Sequence, residues 1–178
     1  ILKELIELSN LFVVAQNDVN IITKLFDRLV PAILFGQNKL FGLGKKSSCG
    51  IRLISDQIAM KFNLRLCDCM MIVATHFLEN QFAYRMPMLA IAATKVFNVV
   101  DGSTEEKARW FIMKFKQLLD IMKMPRKISD ISSIESIFPD DINDLTNQIC
   151  LSFEHEKCEK RQQMTKDDIR FILKRIFI

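Results

Sequence analysis

The sequence contains few residues that break helices. Its 178 residues include 5 glycines and 4 prolines, and this scarcity argues against a turn-rich β fold. No segment alternates apolar and polar residues for long enough to predict a strand. With 49% hydrophobic residues, a chain of this length can bury roughly 70% of its unfolded surface as one domain. We therefore expect a single all-α domain over residues 1–178 that forms part of a longer chain.

Long apolar runs are also absent. The longest, Cys69–Leu78, is far shorter than the ~20 residues that a membrane-spanning helix needs. The first residues, Ile1–Glu7, carry charges at helical spacing where a secretory signal would have its apolar core. Five cysteines at irregular spacing are typical of reduced thiols and form no disulfide framework. The sequence predicts a cytoplasmic protein without a membrane partner.

The excess of positive charge is small and interrupted. The formal net charge is +4, and the basic residues concentrate in Lys107–Lys127 and Lys157–Arg161. Acidic residues interrupt both segments, and Trp110 and Phe111 lie on the other side of the helix predicted for the first one. A solvated helix face explains this pattern better than a surface for nucleic acid. We expect no nucleic acid among the partners.

Helical periodicity and capping residues predict eight helices. They are Ile1–Leu8, Val19–Leu34, Ile51–Phe62, Cys69–Phe82, Met88–Phe97, Lys107–Met122, Ile142–Phe153 and Ile169–Ile176. Asp18 should cap the second, Ser103–Glu106 should form a capping box before the sixth, and Thr165–Asp168 should cap the last. Pro31 is expected to kink or end the second helix, and Pro87 to open the fifth.

The connecting segments carry no strong nucleotide-binding motif. The clearest loop is Gly36–Cys49, and Ile128–Ser136 is a connector with at most a short helix. Gly42–Ser48 has the composition of a phosphate-binding loop but lacks its spacing and its preceding strand. No Gly-x-Gly-x-x-Gly follows a strand, so the residues predict no dinucleotide site.

Three segments together carry the pattern of a known family. Ile54–Asn80 contains Ser-Asp-Gln, Phe-Asn-Leu, a cysteine and His-Phe-Leu-Glu, in one register and without gaps. Phe115–Asp130 is similar to a helix ending in Leu-Gly-Leu-Pro, and Met164–Ile176 to a terminal Leu-Thr-Glu-Glu-Asp-Ile helix. In this order the segments resemble the C-terminal helical domain of the iron-containing (group III) alcohol dehydrogenases. The resemblance covers most of the chain and implies an all-α fold.

The resemblance also implies a metal site that has lost its ligands. Enzymes of that family hold Fe²⁺ or Zn²⁺ with one Asp and three His, and bind a nicotinamide dinucleotide on a separate α/β domain. The three His positions fall at Glu4, Arg52 and Leu66, and the Asp position precedes residue 1. Neither a guanidinium nor a leucine side chain can ligate a cation, and no His precedes His76. We expect no catalytic residue, metal or cofactor.

The positions around this former site are candidates for a remnant cleft. These candidates are Glu4, Arg52, Asp56, Leu66 and Cys67. A cleft without metal could admit a small apolar ligand, with a lining of Met60, Phe62, Met70 and Met71. Cys67–Cys69 lacks the second half of a zinc pattern and predicts buried thiols, with a redox-sensing Cys67 as the minor alternative. His76 is expected to pack, and His155 to be exposed.

The leading hypothesis is a non-catalytic helical domain derived from an iron-dependent alcohol dehydrogenase. It would act as a sensing, regulatory or protein-interaction module, with a protein or a small apolar ligand as partner and a homodimer left open. The first alternative is the C-terminal half of a divergent NAD-dependent alcohol dehydrogenase whose nucleotide-binding domain lies upstream. The second is a bacterial effector or adaptor domain. Fold resemblance alone would favour a dehydrogenase, but the residues at the site disagree.

Overall fold

The computed structural model describes residues 2–15, 18–37, 50–131, 139–155 and 164–177. These residues form eight α-helices and a 3-10 turn at Ile128–Asp130, with no strand among them, so the all-α prediction is confirmed. The helices are α1 (Leu2–Ala15), α2 (Val19–Gln37), α3 (Gly50–Phe62), α4 (Leu66–Asn80), α5 (Phe82–Phe97), α6 (Thr104–Ile121), α7 (Pro139–His155) and α8 (Lys166–Phe177). Within the described ranges, no helix is both long and apolar enough to cross a membrane.

The three predicted caps are present. Asp18 Oδ1 accepts hydrogen bonds from two N–H groups in the first turn of α2. Ser103 N–H donates to Glu106 Oε2 at 2.7 Å, and Glu106 N–H returns a bond to Ser103 Oγ at 3.2 Å. Thr165 and Asp168 exchange the same pair of bonds before α8. These side chains satisfy N–H groups that have no partner within the helix.

The prediction for Pro87 is wrong, while the kink predicted as one outcome at Pro31 stays a prediction. Pro31 lies inside α2 and does not end it. Pro87 also lies inside a helix, because α5 already begins at Phe82, so the prediction that Pro87 opens the helix is wrong. A proline within a helix costs ~3 kcal/mol. α5 buries Leu89, Ala90 and Ala93, and apolar burial opposes a cost of this kind.

The other helix boundaries differ by a few residues. α1 extends past Leu8 to Ala15, and α4 begins at Leu66 instead of Cys69. The turn before α4 is short because Asn63 takes a left-handed conformation, with φ +50°, which asparagine tolerates better than most residues. Gly36 belongs to α2. Gln37 also belongs to α2. Residues 38–49 of the expected loop, most of the Ile128–Ser136 connector and the second basic segment, Lys157–Arg161, lie outside the described residues.

The chain forms two compact units. Unit 1 comprises Ile1–Lys45 and Tyr84–Lys123, and unit 2 comprises Lys46–Ala83 and Met124–Ile178. In unit 1, α1 packs against α2 and α6. Leu8 is fully buried there, and its cluster contains Leu8, Phe12, Ala15, Ile22, Leu25 and Leu29.

Unit 2 has a larger continuous core. α3 packs against α4 and α7, and α8 packs against α4, α7 and the 3-10 turn. The buried core residues are Leu53, Ile54, Ile58, Cys69, Ile72, Val73, Phe77, Ile128, Ile142, Leu145, Ile149, Phe153, Met164, Ile169, Ile172, Leu173 and Ile176. They recur at the helical period, so each of the four helices buries one apolar stripe.

Candidate functional site

Glu4 is held in an ion pair between α1 and α2. Its Oε1 lies 2.7 Å from Arg28 Nη2 and 2.9 Å from Arg28 Nε. Both side chains are partly exposed, so the pair contributes modestly to stability. The pair matters more for metal binding than for stability. The resemblance assigns Glu4 to the position of a metal ligand, but its carboxylate already neutralises the Arg28 guanidinium.

Arg52 and Asp56 form an ion pair along α3. Arg52 Nε lies 3.4 Å from Asp56 Oδ2, four residues further along the helix, and the Arg52 side chain is 74% exposed. A guanidinium carries five donors and no lone pair available to a cation. A positive group therefore stands where the resemblance places a neutral imidazole, and Asp56 balances its charge.

Leu66 and Cys67 open α4. Leu66 is 38% exposed, and Cys67 is exposed, which corrects the expectation that this thiol is buried. Cys67 Sγ lies 3.8 Å from Asp68 Oδ1. The buried Asp68 carboxylate also accepts a hydrogen bond from Arg65 Nε at 2.7 Å. Asp68 and Cys69, the next two residues of α4, are buried, so Cys67 lies on the side of this helix that faces away from the core.

Cys69 and Cys150 are protected thiols. Cys69 is fully buried, and its burial, with smaller contributions from Asp68 and Cys67, raises its pKa to about 11. Burial also raises the pKa of Cys150. Both stay protonated at neutral pH and behave as small apolar residues, as expected. The other two cysteines lie outside the described residues.

The described residues do not fit the metal that the resemblance implies. Among them, no three His, Cys, Asp or Glu side chains are grouped so that they could hold an ion. Arg52 lies near the start of α3, and Leu66 follows the turn at its end. These two positions therefore belong to consecutive helices, α3 and α4. Asp56 adjoins Arg52, Cys67 adjoins Leu66, and Glu4 belongs to unit 1.

His76 has a packing environment. Its Nδ1 lies 3.9 Å from Glu79 Oε2, one turn further along α4. The same Glu79 oxygen lies 3.3 Å from Arg175 Nη1 of α8. This arrangement agrees with the expected structural role of His76, since its nearest charged neighbour connects two helices of unit 2. The side chain of His155 lies outside the described residues.

A groove between α5 and the start of α6, within unit 1, was not predicted. The α5–α6 groove has a volume of about 380 Å³ and is lined by Pro87, Ala90, Ile91, Thr94, Lys95, Thr104 and Lys107. Pro87, Ile91 and Lys95 recur every four residues and so share a face of α5. The sequence carried this signal, but a helix expected to begin at Met88 excluded its first member.

The comparison with solved structures identifies the fold. The chain matches no protein-family model and no curated protein sequence. It is similar to two structures of YqhD from E. coli, one described as the substrate- and cofactor-free form of the aldehyde reductase YqhD. The TM-scores are 0.77 and 0.78, each with 18% identity over 97% of this chain. YqhD is an iron-containing group III alcohol dehydrogenase.

The chain has the fold of the helical domain of that enzyme. The fold that the resemblance implied is therefore confirmed. Identity is too low to transfer activity, and the chain spans 43% and 42% of the length of the two YqhD chains. What the site does must come from the residues present here.

Proposed function

We propose that this chain is a non-catalytic relative of the alcohol dehydrogenase helical domain and acts as a sensing, regulatory or protein-interaction module. One observation carries the proposal. The positions that the resemblance assigns to metal-binding imidazoles hold Glu4, already paired with Arg28, Arg52, paired with Asp56, and Leu66.

Metal chemistry explains why these replacements matter. In alcohol oxidation, a divalent metal acts as a Lewis acid on the substrate oxygen. Holding such an ion takes about three or four N, O or S donors at ~2.0–2.3 Å. A single carboxylate engaged by a guanidinium does not meet this requirement. The chain would then retain the helical fold without the ligands that hold the metal ion.

A binding role is supported by the surface of unit 1. Large hydrophobic side chains are exposed on all four of its helices. They include Leu11, Val14, Val19, Phe26, Leu34, Tyr84, Met88, Ile91, Trp110 and Met113. Single exposed apolar residues are normal on protein surfaces, but in unit 1 they recur on every helix. Under this proposal, the partner would bind to unit 1.

The test combines metal content with turnover. The purified chain, incubated with Fe²⁺ or Zn²⁺ and desalted, should retain substoichiometric metal by elemental analysis. It should neither oxidise alcohols with NAD or NADP nor reduce aldehydes with the reduced cofactors. The aldehyde reductase YqhD, purified and assayed identically, is the positive control. Stoichiometric metal in the chain, or cofactor-dependent turnover by it, would show the proposal to be wrong.

A second candidate is the C-terminal half of a divergent dehydrogenase. The observation that favours it is coverage, since the chain accounts for less than half of YqhD. The discriminating evidence is the gene itself. An α/β segment with a glycine-rich turn after a strand, encoded directly upstream, would support this candidate. A different upstream sequence, together with the metal and turnover results above, would eliminate it.

A further inference from the structure

The α5–α6 groove combines an apolar floor with two lysines. Pro87, Ala90 and Ile91 supply the apolar part of its lining, and Lys95 and Lys107 lie among the remaining residues. Ile91 is 58% exposed, so the floor is accessible. Small-molecule sites in proteins have volumes of ~300–1,000 Å³ and are mostly apolar, with a few polar groups that fix orientation. The volume of about 380 Å³ lies within that range.

Among the residues that line the α5–α6 groove, two are basic and none is acidic. Among the described residues, neither Lys95 nor Lys107 has an ion-pair partner, and no acidic residue lines the groove. The carboxylates near the start of α6 are engaged elsewhere. Glu105 pairs with Arg109 at 2.7 Å, and Glu106 accepts the N–H of Ser103 in the capping box. An anion would therefore meet two available ammonium groups.

The hydroxyl of Thr94 does not compete for that anion. Its Oγ1 lies 3.2 Å from the Ala90 carbonyl oxygen and 3.0 Å from the Val99 carbonyl oxygen. Its one proton is thus shared between backbone acceptors on α5 and in the segment that follows. Recognition of negative charge in the groove depends on Lys95 and Lys107.

We propose that the α5–α6 groove binds a small monocarboxylate with an apolar tail. The tail would cover Ala90 and Ile91, and the carboxylate would lie between Lys95 and Lys107. Apolar burial would supply most of the affinity, and the two charges would select an anion over a neutral or cationic molecule of the same shape. The inference extends the proposed sensing role and rests on it only for its biological meaning. Metal content and turnover test the proposed role, whereas ligand titration tests the groove, so the two proposals can fail independently.

The experiment is a titration of the ¹⁵N-labelled chain with octanoate, 1-octanol and octylammonium, followed by amide chemical shifts. Octanoate should shift the amides of the groove residues saturably, and more strongly than 1-octanol. The double variant Lys95→Gln/Lys107→Gln should weaken octanoate binding about tenfold, since two partly exposed ion pairs are lost. The matched control is Lys114→Gln/Lys116→Gln, which removes the same charge from the same region and should leave binding unchanged.

A charge-reversal variant tests whether the two lysines determine which ligand charge the groove selects. Lys95→Glu/Lys107→Glu should lose octanoate binding and gain octylammonium binding. Equal binding of octanoate and 1-octanol, equal losses in the two glutamine variants, or shifts centred on α1 and α2 would each overturn the proposal. Absence of octanoate binding, with binding of an acidic amphipathic peptide instead, would also overturn it, because the groove would then be a protein docking surface.

Discussion

The two compact units bury their apolar side chains to different extents. Among the largest fully buried side chains in the described residues, Leu8 and Leu119 belong to unit 1. The others belong to unit 2: Ile54, Ile58, Ile72, Ile128, Leu145, Ile149, Ile169, Ile172, Leu173 and Ile176. Exposed large hydrophobics show the opposite distribution. Most lie in unit 1, and those in unit 2 are Met60, Leu66, Leu151 and Phe171.

This difference suggests that unit 2 supplies most of the stability, whereas unit 1 exposes most of the apolar surface. Burial of apolar area contributes ~25 cal/mol per Å², so unit 2, with its continuous core, should dominate the stability of the chain. Unit 1 keeps apolar side chains accessible and contains the α5–α6 groove.

The largest expected effect tests where stability resides. Ile172→Ala removes a fully buried side chain from the core of unit 2 and should lower the free energy of unfolding by ~2–5 kcal/mol, measured by urea denaturation. Val14→Ala, at a position of unit 1 that is 79% exposed, is the control and should change it by less than about 0.5 kcal/mol. Similar losses in both variants would mean that the units do not differ as described.

A glycine at the start of α3 gives the next largest effect. A Cβ on Gly50 would lie 2.6 Å from Cε2 of the buried Phe77 ring. Gly50→Ala should therefore destabilise the chain by ~1–3 kcal/mol, despite the better helix propensity of alanine. Thermal unfolding measures the loss, and Gly50→Ala should cost less in a chain that carries Phe77→Leu than in the wild-type chain, because the smaller side chain relieves the contact.

The matched glycine in unit 1 has a different constraint. Gly102 has φ +100°, a conformation that side chains rarely adopt, while its Cβ contacts are longer than 3.2 Å. Gly102→Ala should cost on the order of 1 kcal/mol through backbone strain, and the same amount in a chain that carries Phe77→Leu. If the Phe77 change rescued both glycine variants equally, close packing would not be the cause in unit 2.

Local signals predicted most of the fold. The caps at Asp18, Ser103 and Thr165 each depend on residues within one turn, so the sequence contains the full information for them. The helical period likewise identified α3 and α6 to within a few residues. Those predictions held because the interactions that decide them are short in range.

What depends on tertiary packing could not be predicted. The helices continue through Pro31 and Pro87, although a proline taken alone favours a helix boundary. The exposure of Cys67 depends on which side of α4 meets the core. The groove lysines, Lys95 and Lys107, come from different helices. For the positions that the resemblance assigns to metal ligands, the structure added the ion pairs of Glu4 and Arg52.

The smallest expected effect is a dependence on acid pH that differs between the units. Burial opposes ionisation of Asp168, but hydrogen bonds from Thr165 and Asn80 outweigh it and hold the pKa of this carboxyl below its ordinary value. In unit 1, hydrogen bonds from Ser103 lower the pKa of the exposed Glu106. Asp168→Asn should cost about 0.5–1 kcal/mol at neutral pH, and Glu106→Gln should cost less, because solvent screens an exposed charge.

The sign of the pH effect follows from the lowered pKa. An unfolded aspartate titrates near pH ~4, so the native Asp168 contributes its full stabilisation above that pH and loses it as the pH falls through the native pKa. The stability difference between the wild-type chain and Asp168→Asn, measured by urea denaturation from neutral pH downwards, should therefore shrink below about pH 4. A difference that stays constant across this range would assign the loss to hydrogen-bond geometry instead of charge. Asp168 of unit 2 and Glu106 of unit 1 would then not differ in how much the charge of their carboxylates stabilises the chain.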